Sequence, residues 1–161
     1  MSLAPPFTAE TAQKKVKAAQ DLWNTQNPEN VAKAYTPNTI WRNRDCFLSG
    51  TAEITQFLVE KWQKEKNYNH PSFPSLRLRK ELFAFSSHRI AVQFWYEYQD
   101  SHDGLKWKRC YGLEDWTYAD EDGGKMRKRQ MSGNDVEIGE EGRWFGEGVD
   151  VNAVEIGEEH W

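Results

Sequence analysis

No stretch of the 161 residues approaches the 18 or more consecutive apolar positions that a membrane-spanning helix needs, which excludes a helical membrane protein. Cysteine is scarce: Cys46 and Cys110 stand alone, without a Cys-x-x-Cys pair or histidine at ligand spacing. That excludes a disulfide framework and a Cys/His zinc site, and both thiols are expected to be reduced. Nucleotide and metal signatures are missing too, with no Gly-x-Gly-x-x-Gly after a strand, no Gly-Lys-Ser/Thr loop and no His-Glu-x-x-His. The expectation is chemistry with no cofactor and no metal. Histidine is sparse, and His70, His88, His102 and His160 fall in loops, turns or the tail, so none is a favoured catalytic base. An excess of positive charge is also lacking: the net of -4 gives no electrostatic reason to expect nucleic acid or an anionic membrane as partner. The opening Met-Ser-Leu-Ala-Pro-Pro-Phe has no charged-then-apolar secretory pattern. A soluble protein of the cytoplasm is expected, with the nucleus open as a second location.

What is abundant is aromatic. Eight tryptophans in a chain with mean hydropathy of -0.89 mean that much of the buried area comes from rings whose N–H and O–H groups need partners. At this length one domain suffices, burying about 70% of its unfolded surface. Charge is uneven, because residues 137–161 hold eight acids against Arg143, while the rest carries a small positive excess. The same segment repeats itself, Val136-Glu-Ile-Gly-Glu-Glu141 recurring as Val154-Glu-Ile-Gly-Glu-Glu159. Two copies cannot make a solenoid. The division is a single domain over 1–138 and an acidic tail over 139–161, which either lies along the chain or a partner through Trp144, Phe145 and Trp161 or stays disordered.

Thr8 caps a helix to about Asn24, with Ala12, Val16, Ala19 and Trp23 at helical spacing. Asn27-Pro28 restarts a short helix at 29–35, since proline is tolerated in a first turn. Residues 39–43 alternate as a short strand. Ser49-Gly50-Thr51 before Glu53 and the series Ile54, Phe57, Leu58, Trp62 predict a third helix to about Lys66. A loop over 68–74 follows. Strands are predicted at 76–85, 89–99, 105–118 and 125–136, separated by Asp/Gly-rich turns. The order gives an α+β fold in which three helices from the N-terminal half cover the concave face of a curved antiparallel sheet.

The period of two puts Ile90, Val92, Phe94, Tyr96 and Tyr98 on the core face of one strand, where a phenol can orient a carbonyl or hydroxyl ligand or simply pack. On the next strand Glu114 shares a face with Cys110, Gly112 and Trp116. Two small neighbours and an indole leave room for a carboxyl whose pKa would rise by desolvation, the usual route to a general acid or base near neutral pH. The competing reading pairs Glu114 with Arg42, Arg44 or Arg109 as a structural ion pair. Arg109 falls on the opposite face if the strand is regular, as a carboxylate clamp or a stacked residue. Trp41 and Asn43 share a face of the short strand, and Asn134 near the end of the last one is a further candidate ligand donor. The basic run 125–129 reads as a solvated or acid-paired strand.

Taken together, Trp41-Arg-Asn-Arg44, Lys61-Trp62, Lys80-Glu-Leu-Phe83, Arg89-Ile-Ala-Val92, Tyr96-Glu-Tyr98, Arg109-x-Tyr-Gly-x-Glu-x-Trp116 and Asn134-Asp135 resemble an uncharacterised SnoaL-like family of the nuclear transport factor 2-like superfamily. The resemblance spans about 10–138. It implies a cone-shaped barrel with a cavity between sheet and helices, and a homodimer through the outer sheet face. The superfamily holds ketosteroid isomerase, scytalone dehydratase, polyketide cyclases and non-enzymatic transport factors, so the fold alone settles no chemistry. Leu113 and Asp115 stand where the family has asparagines, and Gln99 where it has histidine. Two functions follow. One is a lyase- or isomerase-type enzyme acting on an unknown small molecule, with Glu114 as acid/base, Tyr96 as donor, and Trp41, Asn43, Tyr98, Arg109, Trp116 and Asn134 around the pocket. The other is a non-catalytic ligand-binding or protein-interaction module. A cavity with a carboxylate facing a phenol favours the first; a filled core with an exposed aromatic patch favours the second. Homodimerisation is expected also because Trp95, on the outer face with Gln93 and Glu97, makes that face too aromatic to meet water alone.

Overall fold

The computed structural model describes residues 2–66 and 77–161. Helix α1 (Ala9–Asn24) starts where Thr8 and Thr11 satisfy each other's backbone N–H groups. It buries Ala12, Val16, Gln20 and Trp23 along one stripe. Asn27 caps the short α2 (Pro28–Ala32), with Pro28 in its first turn. This helix ends three residues before the expected Tyr35. The Ala34 carbonyl accepts from the Met126 N–H, and the Tyr35 ring packs edge-on to Trp41 at 4.8 Å. Strand β1 (Tyr35–Asn43) therefore begins earlier than the alternation at 39–43 suggests, carrying Pro37 at a register shift where no ladder donor is needed.

Strand β2 (Cys46–Ser49) is a short hairpin partner of β1, turned at Arg44 with φ +58°. Helix α3 (Gly50–Lys64) follows, and Glu53 reaches back to accept from the Ser49 N–H at 2.6 Å. Its buried Ile54 and Leu58 press on the sheet. The helix gives way to β3 (Glu65–Lys66), which pairs with β5. The loop expected over 68–74 and the expected strand start at Leu76 lie outside the described residues. Strands β4 (Leu78–Phe85), β5 (Arg89–Asp100), β6 (Lys106–Tyr118) and β7 (Met126–Glu137) match the predicted runs to within two residues.

The strands form one curled sheet in the order β2-β1-β7-β6-β5-β3, with β4 on the same edge of β5 as β3. It is a mixed sheet, because β1 joins β7 in parallel while the other pairs are antiparallel. The chain can do this because α3, β4, β5 and β6 all intervene between β1 and β7, giving the crossover a parallel pair requires. The concave face carries Trp41, Ile90, Val92, Phe94, Tyr96, Tyr98, Cys110 and Trp116 in a core closed by α1 and α3.

The outer face holds a second, smaller core. Residues 139–161 run back across it, bringing Phe145 and Val151 against Trp95, with Tyr111 and Trp144 alongside. The anchor is Glu97, which is fully buried. Its carboxylate accepts from the Phe145 N–H at 2.8 Å, the Trp144 N–H at 3.0 Å and the Arg109 Nε at 2.8 Å. Arg109 stacks on the Trp144 ring at 3.4 Å, and Trp95 Nε1 donates to the His160 carbonyl at 2.6 Å. The turn that ends each copy of the repeated hexapeptide docks alike, although Val136 and Glu137 of the first copy belong to β7 and Val154 and Glu155 of the second to no strand. Position 142 offers its carbonyl to Arg109 and the equivalent position 160 offers its own to Trp95, each at the end of a short 3-10 turn. Trp95 and Glu97, whose character suggested a partner subunit, are thus covered by the chain's own tail.

Candidate functional site

Glu114 sits mid-strand in β6, opposite Val92 of β5 and Met131 of β7, and the strand period turns it into the cone. Lys80 arrives from β4 on the same side as Leu78 and Leu82, and Arg129 arrives from β7, opposite Trp116. The carboxylate is saturated. Oε1 accepts from Lys80 Nζ, while Oε2 accepts from Trp116 Nε1 at 2.7 Å and Arg129 Nε at 2.9 Å. Arg129 Nη1 donates to Asn43 Oδ1 at 3.0 Å, and its guanidinium lies against the rings of both Trp23 and Trp41, at 4.7 and 4.6 Å. The Lys80 ammonium has three rings around it, Phe94 at 4.8 Å, Trp116 at 5.4 Å and Trp23 at 5.5 Å.

A second polar group adjoins it. Tyr96 Oη accepts from Lys61 Nζ at 3.2 Å and donates to Glu65 Oε1 at 3.1 Å, while Lys61 and Glu65 form an ion pair at 2.5 Å. From the other side Arg44 Nη2 reaches Cys110 Sγ at 3.2 Å and Asp135 Oδ1 at 3.1 Å. Between the two groups is a cavity of about 20 Å³, whose polar lining is Asn43, Lys61, Lys80, Tyr96, Glu114 and Arg129, with Trp23, Phe94 and Met131 among its apolar walls. That volume and that lining suit about one water molecule.

Protonation is set by burial against neighbours. Burial pushes the Glu114 carboxyl up, but Lys80 and Arg129 outweigh it and hold the pKa down at about 2. This corrects the expectation of a raised value: Glu114 is ion-paired, as in the competing reading, but with Lys80 and Arg129 in place of Arg42, Arg44 or Arg109. The room expected beside it is also taken, since a Cβ at Gly112 would lie 1.9 Å from the Phe94 ring. Lys80 moves the other way. Its removal from water, with Arg129 beside it, lowers its pKa although Glu114 pulls upward. Burial keeps Tyr96 protonated well beyond its usual range, and burial raises the Cys110 thiol to about 12.

Of the residues singled out from sequence, the structure gathers Glu114, Trp116, Tyr96, Asn43 and Trp41 around this centre, with Tyr98 packed behind Tyr96 at 5.4 Å. Two are elsewhere. Arg109 is on the outer face with Glu97, as its strand parity requires, and Asn134 borders an outer-face groove beside Tyr111. Lys80, Arg129, Lys61 and Glu65 were not singled out. A signal existed for two of them: Lys80 alternates with Leu78 and Leu82, and Arg129 with Met131, so each lies at an inward position of its strand. Among the described residues, no three His, Cys, Asp or Glu side chains converge as metal ligands.

A family model described as "Protein of unknown function (DUF1348)" matches residues 5–146. The chain belongs to that family. Among curated proteins, no sequence matches it. Solved structures share the fold at low identity. The epoxide hydrolase/cyclase-like enzyme SalBIII, of pyran ring formation in the polyether salinomycin, has a TM-score of 0.58 at 13% identity, covering 78% of this chain and 93% of that one. A ketosteroid isomerase-like protein from Erwinia carotovora atroseptica has a TM-score of 0.58 at 13% identity, over 79% and 98%. A candidate scytalone dehydratase from Novosphingobium aromaticivorans has a TM-score of 0.59 at 10% identity, over 81% and 87%. The family's fold is therefore the SnoaL-like, nuclear transport factor 2-like cone, and the likeness carries the fold alone.

Proposed function

We propose that the cone interior is a cofactor-independent acid/base site for a lyase- or isomerase-type reaction on a small molecule. The observation that carries this is Lys80, a fully buried amine with a lowered pKa, bonded to Glu114 and bordering a cavity that also meets the Tyr96 phenol. Burial lowers the Lys80 pKa and so eases release of its proton, whereas a carboxyl held at about 2 is no base at neutral pH. Lys80 moves the proton, and Glu114 positions Lys80 and balances its charge. Tyr96 and Lys61 offer donors to an oxygen that gains negative charge once they give up their bonds to Glu65. The three solved relatives in fold are named for isomerase, dehydratase and cyclase-like chemistry, which is in keeping with this reading. A substrate enters only if the walls of the cavity give way, because it holds about one water.

The test is deuterium incorporation next to the carbonyl of small ketones and β-hydroxy carbonyl compounds in D2O, followed by NMR. Exchange that Lys80→Met abolishes, with an unchanged tryptophan fluorescence spectrum, supports the reading. Exchange that survives Lys80→Met sinks it.

A second reading is favoured by a different observation. Beyond the tail, the outer face bears an apolar strip, with Phe83 at 59% and Leu113 at 54% exposure, along a groove of about 510 Å³ that also touches Phe85, Ala91 and Arg42. This supports an interaction module, and the homodimer, through that half of the face. Among the described residues no helix is long and apolar enough to cross a membrane, in keeping with a cytoplasmic setting.

A further inference from the structure

The cavity is unbalanced in charge. Lys61 is neutralised by Glu65 and Arg44 by Asp135, but Lys80 and Arg129 share the single carboxylate of Glu114. Among the described residues no other acid reaches them, and residues 67–76 contain no acid at all, so the balance cannot come from that segment. The two cations also have unspent donors. Lys80 Nζ has one acceptor for three N–H groups, and Arg129 Nη2 has none among the described residues. Both side chains are at least nine-tenths buried and line the cavity. A buried surplus of one positive charge, with N–H groups that no described residue takes up, is costly unless something negative completes it.

We propose that this cavity, widened beyond the roughly one water it now accommodates, takes a small monoanion, the carboxylate or enolate end of a small molecule, seated against Lys80 Nζ and Arg129 Nη2. The inference rests on the cavity being a ligand site and names the class of ligand. An enolate formed at Lys80 would meet the same two donors, so one arrangement serves a carboxylate in the ground state and a developing oxyanion in the reaction. Neutral ligands leave the surplus charge uncompensated and are disfavoured.

Binding is coupled to protonation. The groups acting on the Lys80 amine are Glu114 from β6, Arg129 from β7 and Lys61 from α3, and the Tyr96 phenol of β5 lines the same cavity. Burial lowers the Lys80 pKa and pushes that of Tyr96 up. An anion favours the ammonium, so it raises the Lys80 pKa. Affinity is full below the free-site pKa and falls as pH rises through it, by about tenfold per pH unit.

Calorimetric titration of the full chain with sodium formate decides the matter, run against sodium chloride and neutral formamide at matched ionic strength. The expected result is saturable formate binding that formamide does not reproduce, proton uptake detected by changing the buffer, and a loss of at least about tenfold in Lys80→Met. Chloride binding as tight as formate overturns the carboxylate assignment. Absence of formate binding overturns the anion site. If Lys80→Met does not fold, the wild-type pH series decides, and an affinity independent of pH overturns the role of Lys80. Formate binding without any exchange activity leaves this inference standing while the catalytic reading fails. Exchange on neutral ketones with no anion affinity does the reverse.

Discussion

Replacing Glu114 by Gln removes the one negative charge between Lys80 and Arg129 while keeping the volume. The side chain is almost completely buried, so water cannot screen the change. Two magnitudes bear on the cost. Stripping one partner from a buried pair costs about 3–5 kcal/mol, because the remaining charge stays desolvated. Independently, a carboxyl held at about 2 in place of the ordinary 4.5 contributes about 3 kcal/mol at neutral pH. The two agree on about 3 kcal/mol or a little more, part of which is regained if Lys80 gives up its proton in the variant. The sign follows from the depressed pKa. The stability is present above pH 4.5 and is lost as pH falls toward 2. Urea unfolding at pH 7 and at pH 3, for wild type and Glu114→Gln, measures both. The expected gap is about 3 kcal/mol at pH 7 and smaller at pH 3. A loss below about 1 kcal/mol at pH 7, or a gap that does not shrink in acid, refutes the reasoning.

Lys80→Met should cost less than Glu114→Gln, since Glu114 keeps Arg129 and Trp116; the comparison is made by the same unfolding assay. Removing residues 140–161 exposes Trp95 and strips Glu97 of its Trp144 and Phe145 partners, so thermal unfolding should move down by about 10 °C or more, against the view of a separable tail. Gly112→Ala sets a Cβ against the Phe94 ring and should destabilise by about 1–3 kcal/mol, read by denaturant midpoint. Leu113→Glu on the exposed strip should convert any dimer to a species near 18.9 kDa in sedimentation, with the melting temperature unchanged.

Helix starts and the long strands were legible in the sequence because their signals are local. Thr8 and Asn27 cap their own helices, and period two marks β5 and β6 unambiguously. The parallel join of β1 to β7 was not, since it pairs residues about ninety positions apart and leaves no mark on either strand alone. The same limit governs the site. Parity placed Glu114 and Tyr96 inside and Arg109 outside, but the protonation of Glu114 depends on Lys80 and Arg129, which come from two other strands. The basic run 125–129 read as solvated or acid-paired because charge was weighed without register; opposite Trp116, Arg129 falls inside and pairs with Glu114. The outer face misled in a similar way, because Trp95 needed a cover and the acidic, glycine-rich tail did not resemble one.

The claim that Lys80 is the proton-moving group is tested most directly by its own titration. Selective 13C or 15N labelling of lysine, with Lys80→Met to assign the resonance, gives the Lys80 amine signal as a function of pH by NMR. The account predicts a midpoint below the ordinary lysine value of 10.5, shifting upward when formate is added. A midpoint at or above 10.5 in the free protein would contradict it, leaving Lys80 and Glu114 as a structural ion pair.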